Sequence, residues 1–261
     1  MLLKDKVAVI YGGSGAVGSV TARAFAREGA TVFLAGRTLA TLDAVAKEIT
    51  DAGGKAYSGQ VDALDKDSVE NHLNEVIKQA GKVDISYNVI PLGDAQGELL
   101  VNMAQDHFTL PIFTAMNTHF ITMTAAARHM SAQGSGVILA LTANVARRPS
   151  SASGGFGVAC AAIEGLCRQL AVEAGQFGVR VVCLRSAGSP DTPGVREAMQ
   201  LHADKQGISL EQFLVDGAQS NMLRRHPMLP EVANVAVIMA SDYAGVVTAA
   251  VTNVTCGELA D

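Results

Sequence analysis

The feature that most constrains this chain is a glycine-rich turn between an apolar run and an amphipathic stretch. Lys6–Tyr11 is predicted to be a strand and Val17–Glu28 a helix. Between them, the sequence Y-G-G-S-G-A-V-G contains the spacing Gly13-x-Gly15-x-x-Gly18. Glycines at this spacing let the backbone approach a pyrophosphate at a helix N-terminus. The turn therefore predicts a dinucleotide site, and the alternative is a tight turn that binds no ligand.

The remainder of the chain alternates apolar strand-like runs with longer helix-like stretches, without a repeat or a linker. This rhythm predicts a single Rossmann-type α/β domain over residues 1–261, a doubly wound parallel sheet of about seven strands with helices on both faces. Hydrophobic residues make up 49% of the chain and charged residues 17%, which fits a sheet covered on both sides. The least regular segment, residues 186–227, follows the sixth strand. It is predicted to be a mobile lid on the substrate side.

Charge, hydropathy and cysteine content bear on the partners, location and metal content expected for this chain. The net charge is −5 and no block of Lys and Arg occurs, so we do not expect a nucleic-acid partner. No apolar run has the length needed to span a bilayer, and we expect no membrane partner. The four cysteines show no C-x-x-C spacing, which favours a reduced, cytoplasmic chain. No His/Cys/Asp cluster has metal-ligand spacing, so no metal is expected.

The end of the second predicted strand indicates which dinucleotide binds. The sequence A-G-R-T places Gly36, which leaves room, before Arg37, which supplies a cation. An acidic residue there would bind ribose hydroxyls, whereas a guanidinium suits a 2′-phosphate, so NADP(H) is favoured over NAD(H). Asp62 is expected at the adenine edge and Asn88 near the nicotinamide ribose. The alternative for Arg37 is a solvated surface side chain.

These motifs resemble the short-chain dehydrogenase/reductase family over nearly the whole chain. The resemblance includes the glycine turn, A-C-A-A-I-E-G-L at 159–166, G-V-R-V-V at 178–182 and P-E-V-A-N at 230–234. It implies hydride transfer between a nicotinamide and a carbonyl or alcohol. Thr192 ends S-A-G-S-P-D-T, which stands in place of the family's P-G-x-x-x-T. The predicted cofactor-binding residues are Gly12, Gly13, Ser14, Gly15, Ala16, Val17, Gly18, Arg37, Asp62, Asn88 and Thr192.

The family's acid–base residues are where this sequence departs from the resemblance. The family uses a Tyr as proton donor, a Lys four residues later, a Ser thirteen residues before the Tyr and an Asn in the preceding long helix. The corresponding positions here hold Phe156, Cys160, Ala143 and Ala115. Phe156 has no hydroxyl and Cys160 is not a cation, so neither can perform the usual chemistry. The resemblance therefore predicts a cofactor-binding half joined to a non-standard active site.

Three other side chains are candidates for the missing polar chemistry. His119 lies four residues after Ala115 and is expected on the same helix face, where it could protonate a substrate. Thr142 and Ser153 flank the stretch between the fifth strand and the next helix, where a hydroxyl could polarise a carbonyl. The alternatives are a histidine packed between helices or subunits and serines that only form turns.

The sequence leaves more than one function open. The first hypothesis is an NADP(H)-dependent oxidoreductase that reduces a small hydrophobic carbonyl, imine or related substrate, because a protonated imine, quinone or activated alkene needs no tyrosine. The second is a catalytically inactive NADP(H)-binding protein that senses or scaffolds. A third hypothesis is a non-redox enzyme that uses the same cleft, but the sequence offers no nucleophile–base pair to support it. The predicted helices Phe113–Ala132 and Phe156–Gly175 resemble those through which the family assembles, so a homodimer or homotetramer is expected.

Overall fold

The architecture is a single parallel sheet between two layers of helices. The structure is a computed structural model that describes residues 1–260. The sheet has seven strands in the order β3-β2-β1-β4-β5-β6-β7, which confirms the predicted doubly wound α/β fold. The strands are β1 (Val7–Tyr11), β2 (Thr31–Gly36), β3 (Lys55–Gln60), β4 (Ile85–Asn88), β5 (Gly136–Ala143), β6 (Val179–Ser186) and β7 (Ala250–Val254).

Helices connect the strands and cover both faces of the sheet. The α-helices of residues 1–260 are α1 (Ala16–Arg27), α2 (Leu39–Asp51), α3 (Lys66–Ala80), α4 (Gln105–Gln133), α5 (Phe156–Ala174), α6 (Pro193–Gln206), α7 (Leu210–Ser220) and α8 (Leu229–Ala240). One hydrophobic core lies between the sheet and α3, α4 and α5, and the other lies between the sheet and α1, α2 and α8. Burial on both faces explains why β1 is apolar at every position, V-A-V-I-Y.

The strand order places the ligand-binding edge at the glycine turn. The order reverses beside β1, which pairs with β2 on one side and β4 on the other. Tyr11, the last residue of β1, is in register with Asn88 and Ala35, so the three strands end together. A crevice outside the carboxyl ends of the strands is expected at such a switch point. The turn that follows Tyr11 opens into this crevice.

Two predicted elements differ from the structure. Helix α4 begins at Gln105, whereas the sequence predicted a start at Phe113, just after Pro111. Pro111 is the seventh residue of this helix, where it lacks one N–H bond and crowds the preceding turn, so packing of the long helix against β4 and β5 must offset that cost. The segment 186–227 holds two complete helices, α6 and α7, where only a small helical section was predicted.

Candidate cofactor and active site

The turn between β1 and α1 approaches other backbone so closely that side chains are excluded. Gly12 has a φ of +79°, and a Cβ there would lie 2.9 Å from the carbonyl oxygen of Val89. A Cβ on Gly18 would lie only 2.2 Å from the carbonyl oxygen of Gly12. Only glycine satisfies both contacts without moving the backbone. The turn is thus held against the first residues after β4, at the mouth of the crevice.

The N-terminus of α1 fits the phosphates of a dinucleotide. Gly15 is the N-cap residue, no side chain caps the helix, and the first turn contains no acidic residue. The first N–H groups of an α-helix have no intrahelical acceptor, and the helix dipole favours an anion there. Ser14 lies beside them, and its Oγ accepts a hydrogen bond from Thr41 Oγ1 at 3.0 Å. The residues present therefore suit the pyrophosphate of the dinucleotide that the fold implies.

Arg37 directly follows β2, and Asp62 lies two residues after the end of β3. Arg37 is exposed, and its carbonyl oxygen accepts a hydrogen bond from Gln60 Nε2 at 3.0 Å. This bond holds the Arg37 backbone while its side chain extends into solvent. Asp62 is also exposed, but its Oδ1 accepts from the backbone N–H of Leu64 at 3.0 Å and stabilises the local turn.

The other two predicted cofactor residues have local roles in the structure. Asn88 is buried, donates through Nδ2 to Thr122 Oγ1 at 3.0 Å and accepts at Oδ1 from the N–H of Ile90 at 3.1 Å. Its amide therefore ties β4 to α4. Thr192 is the N-cap residue of α6, without a side-chain capping bond.

The positions that the resemblance equates with the acid–base residues form an apolar group. Ala115 is fully buried in α4, Ala143 ends β5, and Phe156 and Cys160 lie in the first two turns of α5. Phe156 packs against the core beneath α4 and α5. Burial is the main cause that raises the pKa of the Cys160 thiol to about 12, so this side chain is neutral at physiological pH.

A buried ion pair beneath this group holds Thr142. Glu164 and Arg185 form a bidentate pair, with Arg185 Nε and Nη2 each 2.8 Å from a carboxylate oxygen. Both side chains are 6% exposed. Thr142 Oγ1 donates its hydrogen to Glu164 Oε1 at 3.2 Å. The hydroxyl of Thr142 is thereby engaged by the pair, and it has no further hydrogen to donate to a substrate carbonyl.

Sequence reasoning missed this pair, although a signal was present. Glu164 follows the buried Ile163 on α5, and Arg185 ends the apolar run V-V-C-L of β6. A charged residue on an otherwise apolar face is rarely buried without a partner of opposite charge. Two such residues of opposite sign could have been paired on this ground.

His119 lies on the face of α4 that carries Ala115, as predicted, and it is 2% exposed. Its Nδ1 is 2.9 Å from the carbonyl oxygen of Ala115, which can only accept, so Nδ1 carries the proton. Nε2 is buried and has no hydrogen-bond partner among residues 1–260. Burial lowers the pKa of His119 to about 4. At neutral pH this side chain is an acceptor at Nε2 and not a proton donor.

The depressed pKa of His119 predicts a loss of stability in acid. The unfolded chain takes up a proton near pH 6.5 and the folded chain only near pH 4, so this contribution is fully present above pH 6.5 and is lost as the pH falls from 6.5 to about 4. The expected contribution is about 3 kcal/mol. Urea unfolding of the wild type and of His119→Asn at pH 7.5 and at pH ~4.5 should give a smaller pH difference for the variant. An equal difference in both proteins would contradict the depressed pKa.

Ser153 lies in the loop that leads into α5. It is 7% exposed, and its Oγ is 2.5 Å from Ser150 Oγ. One of the two hydroxyls donates to the other, and the backbone carbonyl of Ser153 accepts from the N–H of Phe156 at 3.2 Å. Thr142, Ser153 and His119 therefore come from three different elements, β5, the following loop and α4. Each is bonded within its own surroundings.

The predicted lid segment is bonded to α8 and to the loop between β4 and α4. The carboxylate oxygens of Asp191 accept from the backbone N–H of Leu229, both at 3.1 Å, which anchors the start of the segment to α8. His202 of α6 stacks on Phe213 of α7 with a centroid distance of 6.5 Å. His202 Nε2 also lies 3.1 Å from Gln96 Oε1, in the loop between β4 and α4. Helix α6 is thus bonded to the loop that follows β4, and α7 packs against α6.

Comparison with known proteins decides the family of the chain. A family model described as enoyl-(acyl carrier protein) reductase matches residues 13–258. The chain belongs to the short-chain dehydrogenase/reductase family. The family's members are oxidoreductases that use a nicotinamide dinucleotide, and this chain is an oxidoreductase of that type.

Curated members of the short-chain dehydrogenase/reductase family align along almost the whole chain. Secoisolariciresinol dehydrogenase of Forsythia intermedia is 29% identical over 246 residues, covering 93% of this chain and 84% of the relative. The 3-oxoacyl-(acyl-carrier-protein) reductase FabG of Chlamydia pneumoniae is 26% identical over 247 residues, covering 95% of this chain and 94% of the relative. These relatives act on chemically different substrates, so the substrate of this chain must be argued from its own site.

A solved structure of the family supports the fold. NAD⁺-bound xylitol dehydrogenase superposes with a TM-score of 0.92 at 20% identity, covering 98% of this chain and 100% of that one. At 20% identity, this similarity supports the fold and nothing more specific. None of the helices within residues 1–260 is both long and apolar enough to cross a membrane.

Proposed function

We propose that this protein is an NADP(H)-dependent reductase with a non-standard active site, acting on a small hydrophobic carbonyl, imine or related substrate. The observation that carries the proposal is the turn at Gly12 and Gly18, which admits no side chain and presents the uncapped start of α1 to the crevice. When bound, the reduced cofactor supplies a hydride. The residues of the chain bind it, orient it and shape the space for the acceptor.

The cofactor preference rests on Arg37. Its guanidinium is exposed on the adenosine side of the turn and matches the geometry of a phosphate monoester. We expect Arg37→Ala to raise the Kd of NADPH at least about tenfold while leaving the Kd of NADH nearly unchanged, because only NADPH carries the 2′-phosphate. Fluorescence titration of both cofactors measures this change.

The control for Arg37 is another exposed cation that lies away from the turn. Lys47 on α2 pairs with Asp51, and Lys47→Ala should leave both dissociation constants unchanged. Equal weakening of NADPH and NADH by Arg37→Ala would mean that Arg37 supports the fold of the turn and does not read the 2′-phosphate.

The active site is non-standard because the proton-donating groups of the family are replaced. Phe156 offers only a ring, and the buried Cys160 thiol is neutral. His119 is neutral and its Nδ1–H donates to the carbonyl oxygen of Ala115, while the hydroxyl of Thr142 donates to Glu164. This arrangement favours an acceptor that needs no strong protein acid, such as an iminium ion, a quinone or an activated alkene.

The decisive experiment is turnover. Purified protein with NADPH is offered a panel of cyclic imines, quinones, activated alkenes and unactivated ketones, and the loss of reduced-nicotinamide absorbance is followed. Reduction of the first three classes above ketones would support the proposal. Cofactor binding without turnover of any class would instead support the second candidate, an inactive NADP(H)-binding protein, which the same replaced positions favour.

Two further parts of the proposal concern the setting of the enzyme. A homodimer or homotetramer is supported by an exposed apolar stripe on the outer faces of α4 and α5, where Phe113 and Phe120 are each 58% exposed and Val172 is 76% exposed. Large exposed apolar patches commonly mark protein interfaces.

A cytoplasmic location is supported by cysteines that are all free: Cys160, Cys167 and Cys183 are buried, and Cys256 is partly exposed.

A further inference from the structure

The loop between β4 and α4, residues 89–104, crosses the crevice to the start of α5. The backbone N–H of Gly97 donates to the carbonyl oxygen of Ala152 at 2.8 Å. An ideal Cβ on Gly154 would lie 2.6 Å from the carbonyl oxygen of Ala95, so the two segments touch backbone to backbone. This contact brings the loop against the segment that leads directly into Phe156. Side chains of the loop can therefore contribute to the active site.

Asp94 is the carboxylate that this loop brings to the site. It is partly buried, and its Oδ2 accepts a hydrogen bond from Gln96 Nε2 at 2.7 Å. Gln96 Oε1 in turn lies 3.1 Å from His202 Nε2 of α6. Asp94 is thus positioned by its own loop and, through Gln96, by the lid. Within residues 1–260, no cationic group lies within ion-pairing distance of this carboxylate.

The electrostatics of the active site follow from this unpaired carboxylate. The family's lysine position holds Cys160, whose pKa is raised mainly by burial and further by the charges of Asp94 and Glu164. Glu164 is neutralised by Arg185, whereas Asp94 is not. Arg147 and Arg148, in the loop after β5, are exposed, and Arg148 is 3.9 Å from Glu258. Compared with the family's pattern, the site lacks the cation of the lysine and has the carboxylate of Asp94 nearby.

We propose that Asp94 is a specificity-determining residue that selects a substrate with a positive charge, namely an iminium ion, over neutral and anionic analogues of the same shape. This inference rests on the proposed function and adds the charge of the substrate to it. A partly buried carboxylate without a counter-ion attracts a cation strongly because little water screens it. An anionic substrate would be repelled by the same group.

The reaction balances without a protein acid. Hydride adds to the iminium carbon, the π pair of the C=N bond becomes the lone pair on nitrogen, and the nicotinamide is left oxidised. The neutral amine then takes a proton from water. Because positive charge on the substrate disappears during hydride addition, Asp94 stabilises the bound substrate more than the transition state. Its removal should therefore raise KM and leave kcat equal or slightly higher.

The test compares a cation with a neutral molecule of the same shape. Protonated phenylpiperidine, the product of reducing a cyclic imine, and the uncharged phenyltetrahydropyran are titrated calorimetrically into the NADP⁺-loaded protein. We expect the wild type to prefer the piperidinium. Asp94→Asn should weaken piperidinium binding about tenfold and leave the ether unchanged, since the substitution removes only the charge.

The matched control is Glu98→Gln, four residues further along the same loop. It should leave both ligands unaffected if the carboxylate of Asp94 is responsible. Equal weakening of amine and ether by Asp94→Asn, or equal effects of the two variants, would overturn the assignment. In the corresponding imine assay, the KM of Asp94→Asn should rise about tenfold at unchanged kcat.

The outcomes separate this inference from the proposed function. Turnover of neutral ketones, with no preference for the piperidinium, would overturn charge selection while leaving the reductase proposal intact. Piperidinium binding that depends on Asp94, with no turnover of any substrate, would uphold charge selection and overturn the reductase.

Discussion

Gly18→Ala is expected to abolish measurable NADPH binding and to destabilise the fold by roughly 2–3 kcal/mol. The new Cβ would lie 2.2 Å from the carbonyl oxygen of Gly12 and 2.9 Å from the Cα of Gly13. Both neighbours are backbone atoms of the turn, so no side-chain rotation can relieve the overlap. The turn must open or α1 must shift, and either change displaces the N–H groups that would face the pyrophosphate. Urea unfolding and NADPH fluorescence titration measure the two effects.

Gly175→Ala is the matched control for the turn. Gly175 has helical angles, with φ −59° and ψ −36°, and an ideal Cβ there has no atom within 4 Å. The same chemical change should therefore leave NADPH binding untouched and raise stability slightly, by about 0.5 kcal/mol. Wild-type cofactor affinity in Gly18→Ala would show that the cofactor is not held by this turn.

Glu164→Gln is expected to lower the free energy of unfolding by about 3–5 kcal/mol. The carboxylate receives two hydrogen bonds from Arg185, at 2.8 Å each, and one from Thr142 at 3.2 Å. A neutral amide keeps the size of the side chain but removes the negative charge that accepts both of these bonds from the buried guanidinium. Removing one member of a buried ion pair costs more than the pair contributes, because the other charge stays desolvated. Urea unfolding at neutral pH gives the value.

Glu173→Gln supplies the comparison on the same helix. Glu173 is exposed and bonded only to Gln169 Nε2 and, through its backbone carbonyl, to Gln176, so its replacement should change stability by less than about 0.5 kcal/mol. A small effect of Glu164→Gln, similar to that of Glu173→Gln, would mean that the pair is not desolvated.

These two predictions concern separate halves of the molecule. The turn at Gly18 belongs to the cofactor half, which keeps the features that the fold requires. The pair Glu164–Arg185 belongs to the other half, where the resemblance equates Phe156 and Cys160 with acid–base positions. A buried pair that occupies Thr142 there reinforces the proposal that the chemistry does not depend on a hydroxyl donor.

Much of the fold could be predicted from local patterns. Strand β1 and helix α1 follow from an apolar run, spaced glycines and amphipathic periodicity, which are properties of adjacent residues. The alternation of strands and helices then fixes a parallel sheet, because parallel strands need crossover connections. The start of α4 was missed because Pro111 carries a local signal for a break, whereas packing of the long helix against β4 and β5 overrides it.

The candidate site likewise contains residues that could be predicted from local sequence and residues whose roles depend on the tertiary structure. The glycine turn could be predicted from sequence because its spacing is local, and the proposal for Arg37 depends only on its position directly after β2. The roles of His119 and Thr142 could not, because a histidine's pKa and a hydroxyl's free hydrogen depend on which groups surround them in space. Asp94 could not be singled out from sequence. The proposal for it depends on the contacts that its neighbours Ala95 and Gly97 make with Gly154 and Ala152.

The sequence by itself determined that this protein is a doubly wound domain with a glycine-rich turn after its first strand, and its motifs predicted that the family's proton donors are replaced. Those conclusions depend on spacing and on residue identity, both of which are local. Only the tertiary structure decided that His119 is neutral, that Glu164 and Arg185 are bonded to each other, and that Asp94 lies in a loop packed against the segment leading into α5. Burial and charge pairing bring together residues far apart in the chain, and the free energy of a charge is set by that environment.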